Sequence, residues 1–105
     1  MAKEISKREI LIYDLQKLPA DRAAIEAASN PLERRWRERV VADKERLLNQ
    51  LPEERRLVFE SLIINHEKYK VVADQLGTTP GKIFAIRDAA IEDLCYLRHG
   101  AAYRP

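Results

Sequence analysis

The stretch from Tyr69 to Ile86, YKVVADQLGTTPGKIFAI, constrains the fold more than any other part of the chain. Its apolar residues are spaced for two short helices joined by a tight turn, with Tyr69, Val72 and Leu76 on one face of the first helix and Ile83 and Ile86 on the second. Ala73 falls where the two helices would cross most closely, a site where a larger side chain would push them apart. Gly77 follows Leu76 at the point where the chain must leave the helix through a left-handed residue, which glycine adopts cheaply. Thr79 as N-cap and Pro80 at the first helical position, where a missing N–H costs nothing, open the second helix. The plain alternative is a helical hairpin inside a bundle. The agreement of Ala73, Gly77, Thr79 and the flanking apolar positions favours a helix-turn-helix, whose DNA-binding form lays its second helix in the major groove.

With 105 residues, 46% of them apolar, the chain suffices for one domain, or one compact domain with an N-terminal helical extension. Three Gly, five Pro, abundant Arg, Glu, Leu and Ala, and almost no alternating β-branched runs make the fold all-α. The single cysteine, Cys95, sits in an apolar helical run; it forms no disulfide framework and fits a reduced, cytoplasmic setting. No apolar stretch approaches the length of a bilayer span, and the charged N-terminus MAKEISKREI lacks a following apolar run, so no membrane association is expected.

Residues 1–50 read as three helices, over about 3–18, 20–28 and 31–50. Leu11, Leu15 and Leu18 share a face of the first, which Pro19 ends or redirects. Ser29-Asn30-Pro31-Leu32-Glu33 combines a capping residue, a proline at the first helical position and a following carboxylate, a helix-start signature. On the third helix Leu32, Trp36, Val40 and Leu47 hold an apolar stripe. Arg34, Arg35, Arg37, Arg39, Lys44 and Arg46 lie mostly elsewhere, interleaved with Glu33, Glu38, Asp43 and Glu45, as a solvated face or a phosphate-facing one. The Leu11, Leu15, Leu18 stripe and the Trp36 helix serve either the core of one chain or a homodimer interface, two uses that periodicity does not separate.

Leu51-Pro52-Glu53-Glu54 opens another helix, on which Leu57, Val58, Phe59, Leu62, Ile63 and Ile64 make a face broad enough to be buried on two sides. The polar run Asn65-His66-Glu67-Lys68 separates it from the Tyr69 helix. The string LPEERRLVFESLIINHEKYKVVADQLGTTPGKIFAIRDAAIEDLCYLR resembles region 4 of the sigma-70 family, a Leu-Pro-Glu start, an apolar helix and a helix-turn-helix running into a long final helix. It covers about the last half of the chain. The first half, with ILIYDLQKLPADRAAIEAA ahead of a basic helix, is similar in layout to small phage transcriptional activators of the RinA/ArpU kind. The resemblance implies an N-terminal helical region over residues 1–50 and a sigma region 4-like helix-turn-helix domain over 51–105.

It also implies a transcriptional regulator that binds double-stranded promoter DNA with help from a second subunit or RNA polymerase. Carried over by position, the base-reading residues are Thr79, Pro80, Gly81, Lys82, Ala85 and Arg87, with Lys68 and Lys70 near phosphates. Phe84, Arg55, Arg56 and Phe59 would form the partner-binding surface. The departures from the family are chemical. Pro80, Gly81, Phe84, Ala85 and Asp88 occupy the exposed recognition face where the family carries several polar or cationic residues, leaving Lys82 as the clear donor. Residues 51–105 hold eight Lys/Arg and eight Asp/Glu, so the reader half is formally neutral, and the net charge of +2 comes from residues 1–50. Counterion release, and so unaided DNA affinity, is expected to be small. The alternative reading is a protein-interaction module that keeps the sigma-like fold but binds polymerase or a partner regulator. His66, His99 and Cys95 stand too far apart to suggest a metal site, and Gly77 and Gly81 lack the context of a phosphate loop, so neither cofactor nor enzymatic activity is expected.

Overall fold

The computed structural model describes residues 5–100 and Tyr103, and it is all-helical, with no strand among the described residues. Helix α1 (Lys7–Gln16) begins where the Ser6 hydroxyl accepts the Glu9 N–H at 3.2 Å, and α2 (Leu18–Glu26) follows after Lys17 alone. The expected first helix over 3–18 is thus shorter. Pro19 does not end it but sits in the first turn of α2, where no intrahelical N–H is required. The start expected at Lys3 lies outside the described residues. Helix α3 (Pro31–Asn49) opens as its sequence predicts: Asn30 Oδ1 accepts the Glu33 N–H at 2.8 Å, while Glu33 accepts the Ser29 N–H and hydroxyl.

Helix α4 (Glu53–Phe59) continues into a π-helical turn (Glu60–Ile64), then His66 in the left-handed region leads to α5 (Tyr69–Leu76) and the long α6 (Pro80–His99). Helix α6 is the hub of the molecule. Helices α1, α3, α4 and α5 all pack on it, whereas α2 packs mainly on α3. The core joins the two halves of the chain: Leu11, Leu15 and Leu18 lie in one cluster with Val58, Phe59, Ile83, Ile91 and Leu94. The Leu11 stripe therefore serves the interior of one chain. The π-turn places Leu62, Ile63 and Ile64, three consecutive residues, all in the core, which a 3.6-residue repeat does not do.

Of the expected α3 stripe Leu47 is buried and Val40 half-buried, but the buried face extends to Val41, Lys44 and Leu48, which the stripe does not predict. Val41, Lys44, Leu47 and Leu48 are buried, while Leu32 and Trp36 are 78% and 60% exposed. The cause is the partner available along its length. The C-terminal half of α3 supplies every buried residue of the helix, whereas in its first half Glu33 and Arg37 are only half-buried and the opposite side is open. Lys44 enters the interior because its Nζ has three oxygens to meet, donating to the Asp14 carbonyl at 2.8 Å and to the Asp21 carboxylate, with Asp14 Oδ1 at 3.3 Å. Arg98 of α6 reaches the same Asp14 carboxylate at 2.9 Å, so one aspartate ties α1 to α3 and α6. Partial burial works against ionisation of Asp14, but Lys44 and Arg98 outweigh it and hold its carboxyl below the ordinary range.

Candidate nucleic-acid interface

The α5–α6 corner is built from local signals. Gly77 has φ +65° and ψ +37°, and its left-handed turn lets the Thr78 N–H bond back to the Ala73 carbonyl at 2.9 Å, closing the end of α5. The Thr79 hydroxyl accepts the Lys82 N–H at 3.3 Å, and Pro80 takes the first helical position. Ala73, at 1% exposure beside Val72 and Ile83, lies at the crossing. Tyr69 and Ile86 are half-buried, while Leu76, expected inside, is 42% exposed. Helix α5 is only eight residues long, and Leu76, its last residue before the turn, lies beyond the crossing at Ala73.

Thr79, Pro80, Gly81, Lys82 and Ala85 are all exposed on the first turn and a half of α6. A Cβ built on Gly81 would meet nothing within 4 Å, so the backbone there is open to an approaching surface. Lys68, Lys70 and Lys82 are exposed and form no ion pair among the described residues. Arg87 behaves differently from the other positions. Its Nη1 bonds Asp88 at 3.2 Å, its guanidinium lies 5.6 Å from the centre of the Phe84 ring, and its Nε is buried with no hydrogen-bond partner among the described residues. One helical turn beyond Ile83, it turns toward the flank of the bundle and away from the face that Gly81, Lys82 and Ala85 present.

The partner surface divides in the same way. Phe84 is half-exposed, stacked on Tyr69 with centroids 5.9 Å apart. Arg55 pairs with Asp93 of α6, and Arg56 donates to Asn49 Oδ1 at 3.2 Å, so both arginines stitch α4 to its neighbours. Phe59 is corrected from a partner contact to a core residue: it has 0% exposure, because α4 turns it toward the interior shared with α6 and no partner can reach it.

Beside the corner lies an open groove of about 490 Å³ that sequence reasoning did not single out. Leu57, Leu76 and Ile86 give it an apolar floor, and Glu53, Glu54 and Lys82 edge it. Glu53 and Glu54 are exposed and have no ion-pair partner among the described residues. They read in the sequence as favourable charges at a helix N-terminus, and only the approach of α5 and α6 makes them the rim of a groove. Cys95 is fully buried, which pushes its thiol pKa up and leaves it unreactive, and the described residues contain no cluster of His, Cys, Asp or Glu that could hold a metal ion.

Compared with protein-family models, with characterised proteins and with solved structures, the chain finds no match. The likeness to sigma region 4 and to phage activators rests on the quoted residues alone. Among the described residues no helix is long and apolar enough to cross a membrane.

Proposed function

We propose that the protein is a DNA-binding transcriptional regulator of the phage type, acting in the cytoplasm at promoter DNA through the first turn of α6, with help from a second subunit or RNA polymerase. The observation that carries this reading is the α5–α6 corner, whose capped, glycine-terminated turn presents Thr79 to Lys82 and Ala85 to solvent beside three lysines without ion-pair partners among the described residues. In this reading Lys82 contacts a base edge or a phosphate, Lys68 and Lys70 meet phosphates, and the bare backbone at Gly81 allows close approach. Binding, not catalysis, is its task.

Three observations favour a second reading, a protein-interaction module. Phe84 is exposed, the groove on another face of α6 has an apolar floor whose rim carboxylates Glu53 and Glu54 oppose a phosphate backbone, and Arg87 is taken up by Asp88. Selection from random duplexes, with and without RNA polymerase, separates the two. The DNA reading expects enrichment of one sequence, and Lys82→Ala weakening its binding by about 1–3 kcal/mol relative to random DNA. Arg46→Ala, a remote exposed site paired only with Asp43, should change little. Failure to enrich any sequence in either arm, with Phe84→Asp abolishing polymerase capture while helicity stays intact, would establish the interaction module instead.

A further inference from the structure

The first half of α3 carries an exposed ridge, on which the Arg37 guanidinium lies 5.6 Å from the centre of the Trp36 ring. Leu32, Arg35, Trp36 and Arg39 stand at i, i+3, i+4 and i+7 and all four are exposed, with Trp36 at the border where the ridge meets the cleft it lines with Val40, Lys44 and Leu47. Arg37 is paired with Glu33 at 3.1 Å, but Arg34, Arg35 and Arg39 have no ion-pair partner among the described residues, against one free carboxylate, Glu38. Tryptophan and arginine are the side chains that most often dominate protein–protein contacts. A ridge with an apolar crest and cationic flanks fits an apolar groove with an acidic rim.

The same chain holds such a groove, the one between the start of α4 and the α5–α6 turn, with Leu57, Leu76 and Ile86 inside and the unpaired Glu53 and Glu54 at its edge. Ridge and groove cannot meet within one molecule. Trp36 lines a cleft with Asp14, Lys44 and Arg98 near the C-terminal end of α6, whereas Lys82 at the groove lies sixteen residues earlier on that helix, about 24 Å away along its axis. We propose that the α3 ridge of one molecule docks into the α4–α6 groove of a second copy, with Trp36 and Leu32 on the apolar floor and Arg35 and Arg39 against Glu53 and Glu54. Because the two surfaces differ, the contact is head-to-tail and leaves a free ridge at one end and a free groove at the other, so it propagates unless geometry closes a ring. Lys82 edges the groove, so an occupying copy would also crowd the reading end of α6.

The test uses the full chain without DNA, which makes it independent of the DNA reading. Sedimentation of the wild type should show mass rising with protein concentration and falling with added salt, as a contact between exposed charges requires. Trp36→Glu on the ridge and Leu57→Glu in the groove, both at exposed sites, should each weaken association about tenfold or more while the circular-dichroism spectrum stays helical. Mixed in equal amounts, the two variants should associate again but stop at the dimer, since each pair then holds one intact ridge and one intact groove. Arg35→Glu with Arg39→Glu, and Glu53→Arg with Glu54→Arg, repeat the test with the apolar residues in place. A wild type that stays monomeric throughout the series, or a mixture as defective as either variant alone, overturns the proposal; so does binding of nucleic acid or another protein at these faces without self-association.

Discussion

The exposed start of α6 and the open first half of α3 are opposite solutions to making a surface. The first is well shaped and chemically sparse: its turn is fixed by Gly77, Thr79 and Pro80, yet Lys82 is the one cation on its first turn. The second is chemically rich and lightly supported, with Trp36, Arg34, Arg35 and Arg39 exposed on a half-helix whose buried residues all lie in its other half. The shaped turn and the denser group of unpaired arginines are therefore on different surfaces. A chain so arranged is better suited to binding in company than alone, because neither surface combines both properties.

That contrast can be broken first at the core which joins the two surfaces. Phe59→Ala should cost about 3–5 kcal/mol and lower the melting temperature of the whole molecule; a variant that melts normally but loses a partner would return Phe59 to the interaction surface. Ala73→Leu overpacks the α5–α6 crossing and should cost about 1–3 kcal/mol, whereas Trp36→Ser, on the open ridge, should change stability by no more than about 0.5 kcal/mol. Equal losses at the two sites would mean that the ridge is packed as tightly as the corner. Gly77→Ala meets no neighbouring atom, so its expected cost of about 1–2 kcal/mol is the left-handed backbone alone, measurable by denaturant unfolding. The smallest effect concerns pH. Asp14 has a folded pKa below its unfolded one, so its contribution is present above the ordinary carboxylate range and lost as pH falls through about 4 and below. The acid-induced drop in melting temperature should be smaller in Asp14→Asn, and an unchanged acid limb would mean that Asp14 does not contribute to the acid sensitivity of the fold.

The parts legible in the sequence were those governed by nearest neighbours. The Asn30 cap, the Gly77 exit and the Thr79-Pro80 entry each involve atoms within a few residues, and each appears where the pattern places it. Faces that depend on a distant partner were not legible. Leu32 and Trp36 look like core on a helical wheel, and only the arrangement of the helices shows that the inward face belongs to Val41, Lys44 and Leu48. Leu57 and Leu76 likewise become a groove floor because the elements around them stop short of covering them. At the site, exposure of Thr79 to Lys82 and Ala85 followed from the capped turn, but Arg87 depended on Asp88 and Phe84, and Phe59 on the π-turn and α6, which no local pattern reports.

Amide chemical shifts recorded while a selected promoter duplex is titrated into the full chain decide whether the start of α6 contacts DNA. If α6 reads the duplex, Thr79 to Ala85 shift first and most, with Lys68 and Lys70 following and Leu32 to Arg39 unmoved by direct contact. Shifts confined to the α3 ridge, or a spectrum unchanged by duplex in the presence of its helper, would contradict the assignment of α6 as the DNA reader.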